Sequence, residues 1–202
     1  MTKHKLGNLF VVSGPSGVGK GTVIAKVLQN VPNIEKSISA TTRSPRPSEL
    51  NGKDYFFISA EQFDQMVRLS EFLEWAKFAD NFYGTPHAWV HDKLNQGIDV
   101  ILEIEIQGAK QVHSLCPYAT LIFLSPPSLA VLEQRLRTRA TESPDKLALR
   151  LNKAKEEMGE KNIFQYEVIN DNLEEAVKNL ADIVYAKRVN DNLQEESIRK
   201  AL

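Results

Sequence analysis

The fold of this chain is decided by the stretch Gly14-Pro-Ser-Gly-Val-Gly-Lys20, which follows an apolar run from Leu9 to Val12 and precedes a segment of helical periodicity. A glycine-rich turn between a strand and a helix, ending in Lys, is the P-loop pattern. Its backbone N–H groups curl around phosphate oxygens, and the helix N-terminus adds positive potential. The stretch predicts a nucleoside triphosphate site. Its predicted residues are Gly14, Pro15, Ser16, Gly17, Val18, Gly19, Lys20, Gly21 and Thr22.

The position after Lys20 departs from the P-loop rule, in which Ser or Thr follows the Lys and binds Mg²⁺. Gly21 has no hydroxyl, and Thr22 comes one residue late. The hydroxyl of Thr22, that of Ser16, or water alone could complete the shell of a Mg²⁺ ion held by the phosphates. The Gly-Lys-Gly-Thr ending resembles that of nucleoside monophosphate kinases.

Composition predicts a globular protein of one domain, because the 202 residues are 42% hydrophobic and 25% charged. The 25 Lys and Arg balance 26 Asp and Glu, so no global positive field favours a nucleic-acid partner. Cys116 is the only cysteine, which fits a reducing, cytoplasmic location. No apolar run is long enough to span a membrane. The sequence leaves the oligomeric state open.

Three further apolar runs have the length of strands, and helical periodicity separates them. They are Val100 to Ile104, Leu121 to Leu124 and the vicinity of Val168 to Ile169. This alternation predicts an α/β fold of the P-loop NTPase type, with a parallel sheet flanked by helices. Residues 37–58 have a different texture, rich in Ser, Thr, Arg and Pro, and they predict an inserted small lobe.

A candidate site for a second substrate lies within that inserted segment. Ser39, Arg43, Arg46 and Tyr55 belong to a hydroxyl-rich, doubly basic stretch. Arg forks bind phosphate through two parallel bonds, and hydroxyls supply further donors. A solvated loop held by prolines would have a similar composition, so both interpretations stay open.

A pair of carboxylates, Glu103 and Glu105, ends the run that begins at Asp99. If both lie on a strand, their side chains share one face. Ligands of open parallel sheets bind beyond the carboxyl ends of the strands, so this pair is predicted to face the P-loop crevice. The alternative is a pair of charges that solubilises an exposed strand end.

Basic side chains also mark a movable arm. A predicted helix from near Ser128 carries Arg135 and Arg139 four residues apart, and a breaker-rich segment, residues 141–145, leads to a helix with Arg150. An ordinary basic helix face is the alternative. His87 and His91 are also four apart, but no third ligand accompanies them at metal spacing, so a surface pair is favoured.

Five ordered motifs together resemble the guanylate kinase family. They are Ser39-Ala-Thr-Thr-Arg-Ser-Pro-Arg46, Asn51-Gly-Lys-Asp-Tyr-Phe56, Glu71-Phe-Leu-Glu-Trp75, Tyr83-Gly-Thr85 and Gln107-Gly108. The resemblance runs from Leu9 to about Leu173. It implies transfer of the γ-phosphoryl group of ATP to GMP, with Mg²⁺. It also implies a single domain over residues 1–202, with a core (1–36, 94–135 and 151–202), a GMP-binding lobe (about 37–93) and a mobile lid (about 136–150).

The resemblance also implies roles for individual residues. The catalytic residues would be Lys20, Arg43, Arg139 and Arg150. On the ATP side, Arg135 and Asn170 would join the P-loop. The GMP phosphate would be held by Ser39, Arg43, Arg46, Tyr55 and Tyr83. Glu74 and Thr85 would bind the guanine, with Glu105 directed toward it and Glu103 near Lys20 and the metal.

The role implied for Glu74 makes chemical sense independently. Guanine presents N1–H and N2 amino donors side by side, so one carboxylate can accept both hydrogen bonds, whereas adenine offers an acceptor at N1 and no N2 amine. Without the surrounding motifs, a surface helix carboxylate would be the preferred interpretation of Glu74.

Two rival functions stay open. Guanylate-kinase-like domains of scaffold proteins bind peptides on this fold, but they have lost phosphate-site residues, whereas Lys20, Arg43 and Arg46 are present here. A P-loop kinase with another small acceptor is the second rival, and the guanine motif disfavours it.

Overall fold

The computed structural model describes residues 5–78, 80–139 and 144–201, and within them it leaves out the side chains of residues 78, 139, 144–147 and 192–201. The chain forms two compact units. The first unit comprises Met1–Ser13 and Asn33–Leu121, and the second comprises Gly14–Pro32 and Ile122–Leu202.

Strands and helices alternate along the chain. The strands are β1 Leu9–Ser13, β2 Ile34–Lys36, β3 Ala40–Thr41, β4 Phe56–Phe57, β5 Phe72–Phe78, β6 Asn81–Pro86, β7 Asp99–Glu103, β8 Thr120–Ser125 and β9 Tyr166–Ile169. The helices are α1 Lys20–Asn30, α2 Ala60–Arg68, α3 His87–Asn95, α4 Ile106–Leu115, α5 Leu129–Arg139, α6 Pro144–Gly159 and α7 Leu173–Ala201, and a short 3₁₀ helix covers Lys161–Ile163. The four strands predicted from apolar runs are confirmed.

Parallel strands form the core of the first unit, in the order β2-β7-β1. Every residue of β1 is buried, and so is all of β7 except Glu103 at its end. Continuous burial is expected where both faces of a parallel sheet are covered. Val12 pairs with Glu103, so the end of β7 lies beside the end of β1, just before the P-loop.

The second unit also has parallel strands with helices against them. β8 pairs with β9, from Ile122 beside Tyr166 to Ser125 beside Ile169. Helix α1 packs against α7, and Leu132, Leu136 and Ala154 join α5 to α6 in a buried cluster. Together with the parallel strands of the first unit, this arrangement confirms the predicted α/β class.

Strands β3 to β6 form a separate sheet in the first unit, with the order β4-β3-β6-β5. We call it the acceptor sheet, after the second-substrate site that the sequence predicts there. β5 and β6 are antiparallel, β6 and β3 are antiparallel, and β3 and β4 are parallel. A cluster of Ala40, Phe63 and Phe72 forms its core, with Phe82 packed against it. Strand β5 lies at the edge of this sheet.

One predicted placement is wrong. Strand β7 ends at Glu103, and Glu105 is the N-cap residue of α4. The two carboxylates therefore do not share a strand face. The chain leaves the strand after Glu103 and begins the helix at Ile106, and an acidic residue at that point is stabilised by the helix dipole.

Over the part of the chain that the structure describes, no helix combines the length and the apolar character needed to cross a membrane.

Candidate active site

The P-loop leads directly into α1, which begins at Lys20. Within the described residues, no side chain caps this helix end and no acidic residue lies in its first turn. Backbone N–H groups at a helix start lack partners within the helix, and they carry positive potential. The geometry of the loop and helix end therefore suits an anion.

Gly19 and Asn170 fix the shape of the loop. Gly19 has a φ of 99°, and a Cβ there would lie 2.8 Å from Nδ2 of Asn170. That amide nitrogen donates to the carbonyl oxygen of Val18 at 2.7 Å, and Asn170 is buried. Only glycine combines the left-handed backbone with the necessary space. Asn170 thus braces the P-loop from the end of β9.

Two cationic side chains lie against the loop. Nζ of Lys20 donates to the carbonyl oxygens of Gly14 at 2.5 Å and Pro15 at 3.4 Å. Nη2 of Arg150, from α6, donates to Oγ of Ser16 at 2.8 Å. Arg139 ends α5, but its side chain lies outside the described residues. Of the predicted cations, Lys20 and Arg150 are therefore brought to the loop.

An open cleft adjoins the loop. Its lining residues come from the loop, α1, α5, the segment after β9 and the start of α7: Gly17, Val18, Gly19, Thr22, Arg135, Asn170, Asp171 and Leu173. Nη1 of Arg135 donates to the carbonyl oxygen of Asn170 at 2.8 Å. The structure therefore brings Thr22, Arg135 and Asn170, three residues of the predicted ATP side, to one cleft.

A second polar cluster lies in the first unit, around Arg43. Its guanidinium donates to both carboxylate oxygens of Glu49 at 2.9 Å, and it lies 5.5 Å from the ring centre of Tyr55. The rings of Tyr55 and Tyr83 are 6.1 Å apart. The bond to Glu49 raises the pKa of Arg43, and burial raises the pKa of Tyr55. Three predicted phosphate ligands thus share one cluster, in which Arg43 stays charged and Tyr55 stays a hydrogen-bond donor.

Arg46 and Ser39 lie at the margins of this cluster. The side chain of Arg46 is 73% exposed, and its Nη1 lies 4.0 Å from Oε1 of Glu49. Ser39 is half-buried directly before β3, and its carbonyl oxygen accepts from the N–H of Phe56. The structure therefore leaves Arg46 largely in solvent.

Sequence reasoning missed Glu49. Besides the pair with Arg43, its carboxylate accepts from the backbone N–H of Arg46 at 2.8 Å. These bonds, with Arg43 first and Arg46 second, hold its pKa below the usual value. The available signal was a single acidic residue three positions after Arg46, in an otherwise basic stretch.

Glu74 lies on β5 directly opposite Thr85 on β6. Glu74 is only 6% exposed, and its Oε1 accepts from Oγ1 of Thr85 at 2.5 Å. Burial raises the pKa of Glu74 to about 7, although hydrogen bonds from Thr85 oppose the rise. The alternative of a surface helix carboxylate is wrong. The structure therefore brings these two residues together, and the carboxyl group of Glu74 is almost entirely removed from solvent.

Glu103 and Glu105 have different surroundings. Glu103 accepts a hydrogen bond from Nζ of Lys36 at 2.6 Å, and Glu105 is half-buried at the start of α4. Lys36 and Glu103 also act electrostatically on Tyr55, in opposite directions. Lys36 is thus a further cation of this region that sequence reasoning missed.

In the described ranges, no group of three or more His, Cys, Asp or Glu residues could hold a metal ion. His87 and His91 lie on α3 with their rings stacked at 5.7 Å. Of the possible Mg²⁺ ligands that the sequence suggests, the hydroxyl oxygens of Ser16 and Thr22 lie near the P-loop.

A P-loop that opens a helix, basic side chains against it, and a separate polar site with paired arginine and tyrosine side chains define a P-loop phosphotransferase that acts on a phosphorylated acceptor. The family model described as guanylate kinase matches residues 6–187. The chain therefore belongs to the guanylate kinase family.

Individual relatives agree. The chain is 49% identical over 179 residues to a guanylate kinase of Synechococcus sp. (strain JA-3-3Ab), covering 89% of this chain and 82% of the relative. It is 48% identical over 200 residues to a guanylate kinase of Thermus thermophilus, covering 99% of this chain and 89% of the relative. The crystal structure of guanylate kinase from Anaplasma phagocytophilum superimposes with a TM-score of 0.73 at 32% identity, covering 91% of this chain and 87% of that one.

The activity of this family is phosphoryl transfer from ATP to GMP, so the chain is classed as a nucleoside monophosphate kinase. Family members use ATP, generally with a divalent metal.

Proposed function

We propose that this chain transfers the γ-phosphoryl group of ATP to GMP, giving ADP and GDP, and that the acceptor sheet selects GMP. The observation that carries this proposal is the buried pair of Glu74 and Thr85. A carboxylate at this place can accept from N1–H and the N2 amine of guanine. The Thr85 hydroxyl donates its one proton to Oε1 of Glu74 in this structure, and it would turn to donate to O6 when guanine binds. With adenine the buried carboxylate would lack both donors, which is the kind of mismatch that polar sites reject strongly.

The phosphate of GMP would be held by the cluster around Arg43. Tyr83 and Thr85 are two residues apart on β6, so their side chains share one face of the acceptor sheet. This spacing supports a single acceptor with its base at Thr85 and its phosphate at Tyr83. Arg43 and Tyr55 would complete the phosphate site, and Arg46 would close on it from solvent.

The triphosphate would lie on the P-loop, where backbone N–H groups and Lys20 bind its outer phosphates. Arg150 already touches the loop at Ser16, so it is suited to meet the γ-phosphate. We assign Arg139 to the same function. The adenosine would occupy the cleft beside Arg135 and Asn170.

Transfer needs no general base, because the second ionisation of a phosphate monoester lies near pH 6 and the acceptor oxygen is already anionic. The chain must instead neutralise two polyanions and hold the attacking and leaving oxygens in line. Lys20, Arg43 and Arg150 would supply this charge. Exclusion of water would prevent transfer of the phosphoryl group to water.

Mg²⁺ is the proposed metal. Thr22 is exposed and lines the cleft, whereas Oγ of Ser16 already accepts from Arg150. These oxygens suit a hard cation that keeps several waters and binds mainly through phosphates. Thr22 would hold it, and Glu103 is the alternative protein ligand. When bound, the ion would neutralise charge on the phosphates.

A cytoplasmic location is part of the proposal, supported by the buried free thiol of Cys116, which fits a reducing compartment.

An acceptor screen tests the proposed function. ADP release is measured with GMP, AMP or UMP at matched concentrations, and formation of GDP is followed by ³¹P NMR. We expect GMP to exceed the other acceptors by roughly 10³-fold or more in kcat/KM, because the mismatch leaves a buried carboxylate unpaired. Equal rates with all three acceptors would refute guanine selection. A chain that binds no ATP at millimolar nucleotide would fit the scaffold function instead.

A further inference from the structure

The carboxyl group of Glu74 lies close to the backbone of helix α4, at the position of a glycine. Gly108 is the third residue of α4 and is buried. A Cβ at this position would lie 2.4 Å from Oε2 of Glu74, 3.0 Å from Cδ and 3.3 Å from Cγ. Glycine within a helix costs about 1 kcal/mol relative to alanine, so it needs a structural reason. Here the reason is the close approach of a carboxylate to the helix backbone.

One turn further along the same helix face, Gln111 holds the residue that follows Glu74. Nε2 of Gln111 donates to the carbonyl oxygen of Trp75 at 2.8 Å, and the N–H of Trp75 donates to Oε1 of Gln111 at 3.1 Å. β5 is the edge strand of the acceptor sheet, and an edge strand carries backbone groups without a neighbouring strand. The primary amide of Gln111 therefore replaces a neighbouring strand at Trp75.

We propose that Gly108 and Gln111 are positioning residues that set guanine specificity by fixing where the Glu74 carboxylate stands. The inference rests on the proposed function and deepens it. Thr85 holds Oε1, the backbone of α4 limits Oε2, and Gln111 fixes the backbone one residue later. A carboxylate that accepts two parallel hydrogen bonds must be held to within about 0.5 Å. The Thr85 hydroxyl bonds Oε1 in the free protein, but its one proton would go to O6 when GMP binds, so other groups must hold the carboxylate.

The test is a double-variant cycle between Gly108→Ala and Glu74→Ala. In Gly108→Ala the three atoms nearest the new Cβ all belong to the flexible side chain of Glu74, so the chain is expected to fold while the carboxylate moves. The KM for GMP should rise roughly 10- to 100-fold, the effect of losing a hydrogen bond to a charged group. The KM for ATP and kcat should stay within about 3-fold, because no P-loop contact changes.

The Glu74→Ala background separates positioning from general damage. Ala lacks Cγ, Cδ and Oε2, the three atoms nearest the added Cβ, so Gly108→Ala should cost less than about 3-fold there. The matched control is Gly159→Ala at the end of α6, where a Cβ would meet nothing within 4 Å, and we expect no change. Equal losses in both backgrounds, or an unchanged KM for GMP in the Glu74 background, would overturn the role of Gly108.

Gln111→Ala is the second variant, and it keeps the inference testable if Gly108→Ala does not fold. Loss of two hydrogen bonds at an edge strand should raise the KM for GMP roughly 3- to 10-fold. Gln107→Ala, an exposed glutamine one turn earlier on α4, is its control. If Gln111→Ala leaves the KM for GMP unchanged, as Gln107→Ala should, the role of Gln111 is refuted.

Titration of the Glu74 carboxyl by ¹³C NMR distinguishes this inference from the proposed function, because it needs no substrate. Gly108→Ala should expose the displaced carboxyl and lower its pKa toward the usual value, whereas Gly159→Ala should not. A chain that phosphorylates no GMP but shows this shift fails the proposed function and keeps the positioning role. A chain that phosphorylates GMP but shows neither the shift nor the coupling fails the inference alone.

Discussion

The region around the P-loop and the acceptor sheet are built from different polar groups. Around the loop, the contacts run mainly from side chains to backbone: Lys20 to Gly14, and Asn170 to Val18. In the first unit the decisive contacts join side chain to side chain, as in the pairs Arg43 with Glu49 and Thr85 with Glu74.

This difference bears on selectivity. Backbone N–H groups and a helix end bind phosphate whatever base it carries. A buried carboxylate beside a hydroxyl responds to the donor pattern of one base. Variants around the P-loop should therefore change the rate with every acceptor, whereas variants in the acceptor sheet should change which acceptor is used.

The largest effect is expected from Lys20→Ala. Removing the cation that we propose binds the outer phosphates should lower kcat by roughly 10³-fold, as for other lost charge-stabilising groups. The KM for GMP should stay within about 3-fold, because GMP would bind to the other unit. Steady-state kinetics with varied ATP and GMP measure both quantities.

Lys26→Ala is the matched control for this substitution. Lys26 lies on the same helix, where it forms a surface ion pair with Glu174 at 2.6 Å, and such pairs contribute little. The contrast between the two regions fails if Lys20→Ala weakens GMP binding as much as it lowers kcat.

A smaller effect is expected from pH, through Glu74. Guanine needs the ionised carboxylate, but the pKa of Glu74 in the free protein is about 7. As the pH falls from 8 to 6, the ionised fraction drops, and the KM for GMP should rise about tenfold. The KM for ATP should change much less over the same range. Isothermal titration calorimetry of GMP binding at pH 6, 7 and 8 provides a second measure.

Glu74→Gln is the control, since it cannot titrate. It should bind GMP weakly and without this pH dependence, so a slope that survives in Glu74→Gln would belong to another group. The stability of the free protein should change in the opposite sense. A carboxyl with a raised pKa in the folded state loses stability as the pH rises through 7, so at pH 8 Glu74→Gln should be more stable by up to about 3 kcal/mol, measured by urea unfolding.

The features that the sequence predicted correctly are encoded by residues close together in the chain. The P-loop lies within seven consecutive residues, and the parallel strands are continuous apolar runs, so pattern alone located them. The resemblance grouped Glu74 with Thr85, but burial of Glu74 depends on strand pairing and on α4, which no local pattern encodes. The end of strand β7 at Glu103 was also missed. Glu103 and Glu105 alternate with apolar residues as in a strand, and only the start of helix α4 shows that the strand has already ended.

Gly108 and Glu49 carried signals that went unused. A glycine within a helix marks a close approach, and a single acidic residue in a basic segment marks an ion pair. The partner of Gly108 is Glu74, on strand β5, far earlier in the chain, and the partner of Glu49 is Arg43, at the other end of a loop. The sequence therefore indicated that a partner exists without identifying it.

The smallest effect is expected from Glu49→Gln. Glu49 holds the Arg43 guanidinium by two bonds of 2.9 Å, and both side chains are mostly buried. The amide retains one acceptor, so Arg43 should lose part of its fixed orientation. The KM for GMP should rise roughly 3- to 10-fold, because preorganisation of a phosphate ligand is lost, while the KM for ATP stays unchanged.

Glu35→Gln tests whether any ion pair of the first unit would have the same effect. Glu35 pairs with Lys93 at 2.9 Å, but its side chain is 42% exposed. Its loss should therefore leave the KM for GMP almost unchanged. If Glu49→Gln instead tightens GMP binding, the carboxylate competes with the GMP phosphate for Arg43 and does not orient it. That result would mean that the Arg43–Glu49 pair weakens GMP binding. Tyr55 and Tyr83 would then be the fixed part of the phosphate site.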